Sequence, residues 1–414
     1  MQISSANVTM WVDDTDVDIL ADDIMRKERL VTPSVRSRLV DSLIKLQKKA
    51  TECKKFKRYA VLDTHLLPIT NAAFDHQGTM CLTGSYDRTC KVWSVHDGVE
   101  AATLSGHTNV VFSVAFIPQH QNRVVTGSFD RTAKVWDWEI TNGDSMMVSL
   151  EGHSAEVVAL AMDSTSPNIA TGSMDSMAKI FDLGTGVELS TLVGHTKPVI
   201  RVVFGDNMLV TASFDSTVRL WDMRKRPSCV SVLQGHSAEI SGCVLSPDGL
   251  LLATSSLDGT AKIWDLRSTI FIATMDHTDE VLDIGFDSNG RRLVTCCSDC
   301  NIKIWDVKCG NFVLPSTVCL GHTDEVSKVS FSPDGTCVLS ASADCTAKLW
   351  DSDNGRLLED LAGVHSDEVF CCEFSVDGNT LLTASKDNTC QLWRKPSMGN
   401  DEELVGTVKN LTLV

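Results

Sequence analysis

TGSFDRTAKVW, residues 126–136, decides how this chain is read, because the same phrase returns seven more times. TGSYDRTCKVW (83–93) precedes it. TGSMDSMAKIF (171–181), TASFDSTVRLW (211–221), TSSLDGTAKIW (254–264), TCCSDCNIKIW (295–305), SASADCTAKLW (340–350) and TASKDNTCQLW (383–393) follow. The closing aromatics are Trp93, Trp136, Phe181, Trp221, Trp264, Trp305, Trp350 and Trp393, at intervals of 43, 45, 40, 43, 41, 45 and 43 residues. A fixed period in this range marks an array of small supersecondary units, each too thin to hide its own apolar faces. Two further marks lock the phase. An Asp stands six residues before each aromatic (Asp87, Asp130, Asp175, Asp215, Asp258, Asp299, Asp344, Asp387), and a His 26 to 29 before it (His65, His107, His153, His195, His236, His277, His322, His365). One recurring slot thus takes eight of the eleven histidines.

Strands can be drawn inside one repeat. In the seventh, Val326, Val329 and Phe331 face inward, SPDG (332–335) turns the chain, and CVLSAS runs back. A turn holding Asp344 leads to TAKLWD, and DNG leads to an outer strand, RLLEDL. Packed radially, such sheets bury their faces against neighbours and leave only short edges. The pattern over about residues 55–394 resembles WD40 repeats. The resemblance implies an all-β, eight-bladed WD40 β-propeller, here with a small N-terminal helical segment. It also implies a hydrogen-bonded chain of His, hydroxyl, Asp and Trp in each blade, exemplified by His107, Ser128, Asp130 and Trp136. The other Ser members would be Ser85, Ser173, Ser213, Ser256, Ser342 and Ser385. Phe181 departs from the pattern, as does Cys297 at the Ser position of blade six, where Asp276 also replaces the usual Gly. Each repeat supplies three strands of one blade and the outer strand of the blade before it. Blade eight therefore needs a closing strand. FKRYAVL (56–62) stands at the proper offset from His65, and the segment near 403–408 competes for the same edge. The expected domains are a helical segment over 1–53, the propeller over 54–394 and a tail over 395–414.

Composition narrows the function classes. The formal charge of −17 works against binding nucleic acid, which rests on neutralising phosphates with Lys and Arg. Two small basic clusters, 54–58 and 224–226, lack interleaved aromatics. No run of about 18 apolar residues signals a membrane span, and the opening MQISSANVTMWVDDTD lacks the pattern of a secretory signal. A soluble, cytoplasmic and monomeric protein is expected. The fifteen cysteines are scattered along strands, which fits reduced buried thiols. Cys297 and Cys300 form a C-x-x-C pair, but no second pair or His lies at finger spacing, so no metal is expected. No phosphate loop, dinucleotide motif or nucleophile elbow occurs, so neither cofactor nor catalysis is expected.

Residues 15–52 carry a helical period instead. Val17, Leu20 and Ile24 form one stripe; Val35, Leu39, Leu43, Leu46 and Ala50 form another after a Thr32-Pro33 start. The segment reads either as a hairpin packed on the ring or as one wall of a partner cleft using Leu20, Ile24, Leu39, Leu43 and Leu46. The run TDVDILADDIMRKERLVTPSVRSRLVDSLIKLQKKA, followed by THLLPITNAAFDHQGTMCLTGSYDRTCKVW, is similar to the outer-row dynein assembly proteins, also called dynein assembly factors with WD repeats. That resemblance implies a non-catalytic adaptor linking outer-arm dynein to an intraflagellar transport complex B subunit, working in the cytoplasm, at the ciliary or flagellar base and in the axoneme. Little precedes residue 15 in the aligned register, and the tail beyond Trp393 has no counterpart in the pattern.

One face stands out as a candidate site. The residue before each turn Asp is Tyr86, Phe129, Met174, Phe214 and Leu257 in the first five repeats, then Ser298, Ala343 and Lys386. Three positions after the His come Pro68, Val110 and Pro198, but Glu156, Glu239, Glu280, Glu325 and Glu368 elsewhere. Either the apolar side chains plug the channel mouth while the glutamates cap local loops, or the rim is a protein-binding face, apolar on one arc and acidic on the other. A different reading takes Trp221-Asp222-Met223-Arg224 and Trp264-Asp265-Leu266-Arg267 as two W-D-x-R boxes of a cullin-RING ligase substrate receptor. A generic WD-repeat scaffold is the third reading.

Overall fold

In the computed structural model, residues 55–396 are described except 119, 121, 141–144, 164–165, 225–226 and 308–314; of the preceding segment only 36 and 40 are described. Two compact units divide the chain: Arg58–Trp393, and Met1–Lys57 with Arg394–Val414. In the latter, Lys395 Nζ stands 5.4 Å from the centre of the Phe56 ring. The stripes expected over 15–52, with Leu20, Ile24, Leu39, Leu43 and Leu46, lie outside the described residues, as does the tail from 397 on.

Among the described residues eight four-stranded sheets make up the larger unit, seven of them in the chain order a, b, c, d from the inside out. Blade one is Ile69–Phe74, Met80–Ser85, Thr89–Ser94 and Glu100–Ser105. Blade eight is Val369–Phe374, Thr380–Ser385 and Cys390–Arg394, and its outer strand is Lys57–Leu62. The N-terminal candidate therefore takes the closing edge.

Burial differs by strand for a simple reason. Strand b is covered by a neighbouring blade on each face, so all six residues of Cys337–Ser342 are buried. Strand d looks outward, and Leu357–Leu361 buries only its last residue fully. Strand a breaks simple alternation: Val326, Val329 and Phe331 are buried at spacings of three and then two. Pure period two would turn Val326 and Val329 to opposite faces. The a–b ladder skips a residue between Val326 and Lys328, and this bulge restores the phase. The same skip recurs in the other blades, as at Ile69/Asn71 and Val111/Ser113. Where the extra residue carries a hydroxyl, it reaches the next blade: Thr70 donates to the Val111 carbonyl at 2.6 Å and Ser327 to that of Val369 at 2.9 Å.

The core lies between blades. Leu62 and Leu382 of blade eight pack with Ile69, Phe74 and Trp93 of blade one, and Leu82 and Val92 of blade one pack with Val111, Phe116 and Trp136 of blade two. Gly172 shows how closely the sheets approach: a Cβ there would stand 2.8 Å from Val202 Cγ2 and 3.0 Å from the Val199 carbonyl oxygen in the next blade.

Candidate partner-binding face

The recurring polar residues resolve into one chain per blade. In blade two, His107 Nδ1 is 2.7 Å from Asp130 Oδ2 and Nε2 is 2.7 Å from Thr126 Oγ1, which also accepts the Trp136 indole N–H at 2.8 Å. Indole only donates and carboxylate only accepts, so the protons are assigned: Trp136 to Thr126, Thr126 to His107, and His107 Nδ1–H to Asp130. The hydroxyl in this chain is Thr126, which corrects the sequence reading of Ser128. Ser128 instead donates to the Asn109 carbonyl at 3.2 Å and accepts the Asp130 N–H at 3.1 Å. The same holds elsewhere, with Thr83, Thr211, Thr254, Ser340 and Thr383 between imidazole and indole. Thr, His and Asp are here in the order of a nucleophilic triad, but Thr126 is 0% exposed, so no substrate can reach its oxygen.

Two blades depart from this arrangement, blade three as Phe181 foretells, but blade six not at Cys297, which lies outside the chain with its thiol on the Asp279 carbonyl at 3.2 Å. In blade three Phe181 supplies no donor, and Thr171 keeps its 2.7 Å contact with His153. In blade six His277 still meets Thr295 at 3.1 Å, but Asp299 takes the Thr278 hydroxyl and His277 Nδ1 is buried without a partner. Burial and then Lys303 push His277 down to about 4. Where the His–Asp contact forms, the carboxylate is held low: at Asp175 burial works upward, yet the bonds from His153 and the Ser154 N–H outweigh it and hold the group at about 2.

These chains fix the rim. The residue before each turn Asp donates its N–H to the carbonyl three positions after the His in every blade: Tyr86 to Pro68 (3.0 Å), Phe129 to Val110 (2.9 Å), Met174 to Glu156 (2.9 Å) and Phe214 to Pro198 (3.0 Å). Leu257 to Glu239, Ser298 to Glu280 and Lys386 to Glu368 follow at 2.9 Å, and Ala343 to Glu325 at 3.0 Å. Both sets of rim residues singled out in the sequence thus stand on one face. Their exposure is not uniform. Tyr86 and Met174 are exposed, whereas Phe129, Phe214 and Leu257 are half-buried. Phe129 stacks on Phe112 with ring centres 5.2 Å apart. Among the acids, Glu239 pairs with Lys197 at 2.9 Å and Glu368 with Lys386 at 3.3 Å.

Sequence reasoning missed Leu66, Leu67, Phe112 and Phe370, all exposed. Phe112 and Phe370 are the extra residues of the strand-a bulge, and a bulge leaves no signal in a strand read as simple alternation. The turn residue after each Asp was also overlooked: Arg88, Arg131, Ser176, Ser216, Cys300, Cys345 and Asn388 have φ of 66–71°, and Gly259 has 76°. Beneath the rim a channel of about 340 Å³ is lined by the inner strands of all eight blades, including Asn71, Arg201, Asp283, Lys328 and Glu373. Lys328 Nζ lies 3.2 Å from Cys371 Sγ, and burial pushes Glu373 up against the pull of Lys328.

A ring of eight sheets, seven of them braced by a buried His–Asp pair and all presenting short turns on one face, defines a WD-repeat propeller, a scaffold class. The family model described as "WD domain, G-beta repeat" matches residues 56–94, 98–137, 145–182, 186–222, 227–265, 270–306, 314–351 and 359–394, and the chain belongs to that family. Among curated proteins it is similar to "Dynein assembly factor with WD repeat domains 1" of Xenopus laevis, 42% identical over 104 residues, and of Homo sapiens, 45% over 105 residues. Each alignment covers 25% of this chain and 25% of the relative, so the chain spans about a quarter of the length of the dynein assembly factors it matches. It is also similar to "Nuclear distribution protein PAC1" of Arthroderma otae, 28% identical over 233 residues, covering 49% of this chain and 50% of that one. The crystal structure of the computationally designed Ika8 protein matches 82% of this chain and 99% of its own, at 29% identity and a TM-score of 0.72. Among the described residues no helix is long and apolar enough to cross a membrane, and no group of three or more His, Cys, Asp or Glu is placed to hold a metal.

Proposed function

We propose that this WD-repeat scaffold acts in the assembly of outer-arm dynein and in its delivery by intraflagellar transport, in the cytoplasm and at the ciliary or flagellar base and axoneme. The similarity to the dynein assembly factors carries this reading. The geometry supports it by supplying a ring of eight blades whose rim offers exposed apolar and charged side chains. In this role the protein brings partners together without chemistry: an outer-arm dynein subunit on the rim, and a complex B subunit at the segment over residues 1–53.

Affinity capture with the full chain from an extract of ciliated cells, read by mass spectrometry, tests the proposal. Recovery of outer-arm dynein chains together with transport subunits is expected. Recovery of a cullin-RING adaptor in their place overturns it and favours the W-D-x-R reading, and recovery of neither overturns it in favour of a scaffold for other partners. Arg224 and Arg267, which that second reading requires, are exposed at the ends of strand c in neighbouring blades.

A further inference from the structure

The exposed apolar side chains of the rim gather on one arc. Leu66 is 82% exposed, and Leu67, Tyr86, Phe112, Phe370 and Met174 are exposed beside it in blades eight, one, two and three. The arc is continuous across the closure, because Asn388 of blade eight donates to the Leu66 carbonyl at 3.4 Å. Phe112 also lines the channel, so the apolar patch runs from the outer loop to the channel mouth. Contiguous exposed apolar surface on a folded protein marks a place where something docks.

Charge on the remainder of the face says what docks. Blades six, seven and eight place a hydroxyl residue, Asp and Glu at the same position: Thr278-Asp279-Glu280, Thr323-Asp324-Glu325 and Ser366-Asp367-Glu368. In each, the Asp carboxylate accepts the following Glu N–H, at 2.9, 2.8 and 2.9 Å, which fixes the loop. Glu280 and Glu325 then face solvent, and Glu368 is half-buried. Among the described residues Glu280 and Glu325 have no ionic partner, in contrast to Glu239 with Lys197 and Glu368 with Lys386. The acidic loops adjoin one another. The thiols of Cys300 in blade six and Cys345 in blade seven are pushed up by burial and next by Asp324 and Asp367 of the following blades. On the apolar arc the equivalent turns carry Arg88 and Arg131.

Resting on the reading of this rim as the partner face, we propose that its occupant is a protein segment with a large apolar anchor flanked by Lys or Arg. The anchor seats against Leu66, Tyr86 and Phe112, and the basic side chains lie over Glu280 and Glu325. Nucleic acid and anionic lipid surfaces are repelled by the same carboxylates. Apolar contact supplies the holding energy, while the charge fixes which way the segment lies across the mouth.

Fluorescence anisotropy with three synthetic peptides tests this on the full chain. One carries Phe-Leu followed by four alternating Lys and Arg, one carries Phe-Leu followed by four Glu, and one carries Ala-Ala followed by the basic run. The first should bind at least about tenfold more tightly than either other, and raising salt should weaken it. The double variant Glu280→Gln with Glu325→Gln, and separately Leu66→Ser with Tyr86→Ser, should each cost about tenfold in affinity with the melting temperature unchanged, since all four side chains lie on the surface. Equal binding of the basic and acidic peptides, or variants that bind the first peptide like the parent, overturns the proposal. The two readings fail separately. Dynein capture that survives both double variants removes this occupant and leaves the assembly role, whereas peptide binding at the rim without any dynein capture removes the assembly role alone.

Discussion

Thr126 is held at two points in a chain of three bonds: it takes a proton from Trp136 and gives one to His107, and His107 in turn gives one to Asp130. A buried polar set of this kind is stable only when every member is paired. Thr126→Val should therefore strand the indole N–H and imidazole Nε2 together and cost on the order of 2–4 kcal/mol. Ser128→Ala removes a single carbonyl bond and a turn acceptor, and should cost about 1 kcal/mol. Urea unfolding of both variants checks the ranking; an equal or reversed order would show that Ser128 is the central hydroxyl after all. His277 gives a second outcome at this scale. Its folded value of about 4 lies below the ordinary value of 6.5, so the unfolded chain binds the extra proton first. Its contribution is complete above pH 6.5 and is lost as pH falls toward 4. Between pH 7 and pH 5 the parent should lose on the order of 1–2 kcal/mol that a His277→Gln variant does not lose. Parallel stability curves for the two proteins over that range would count against a buried, neutral His277.

Strand d of blade eight comes from Lys57–Leu62, and Leu62 sits fully buried in the cluster that joins blades eight and one. Leu62→Ala should cost about 2–5 kcal/mol, because a cavity opens where little chain is available to collapse into it. Hydrogen exchange should speed first in Cys390–Arg394, the strand it pairs with. Loss of protection spread evenly over all blades instead would mean that the closing strand is not a separate weak point. The elements were the most legible part of this chain, and particular residues show why. Asp130 and His107 recur in all eight repeats and Trp136 in seven, so the copies confirmed one another. Thr126 recurs as faithfully as Ser128, two positions away, and spacing alone cannot tell which hydroxyl points at the imidazole. The bulge that turns Phe112 and Phe370 outward is likewise a matter of backbone pairing, which no single strand's alternation records. Phe129 and Phe214 share a rim position with Tyr86, yet they are half-buried, because exposure depends on the neighbouring blade and not on the repeat.

Across the whole molecule, repetition and its interruption have separate uses. The His–Asp–Thr–Trp positions make the blades alike and set the height of the rim; the positions beside them differ from blade to blade and divide that rim into an apolar arc and an acidic one. Closure by Lys57–Leu62 on Cys390–Arg394 joins the early and late parts of this ring directly. That pairing also sets a clock on biosynthesis. At a ribosomal pace of 5–20 residues per second, the closing strand emerges roughly 15–65 s before the strand that receives it, some 330 residues downstream. Through that interval Leu62 has nowhere to hide, and seven nascent blades stand as an open arc with two naked edges. The cell must shelter that arc or finish it quickly, and a ribosome that stalls within the last repeat releases not seven-eighths of a ring but a chain primed to pair with its neighbours.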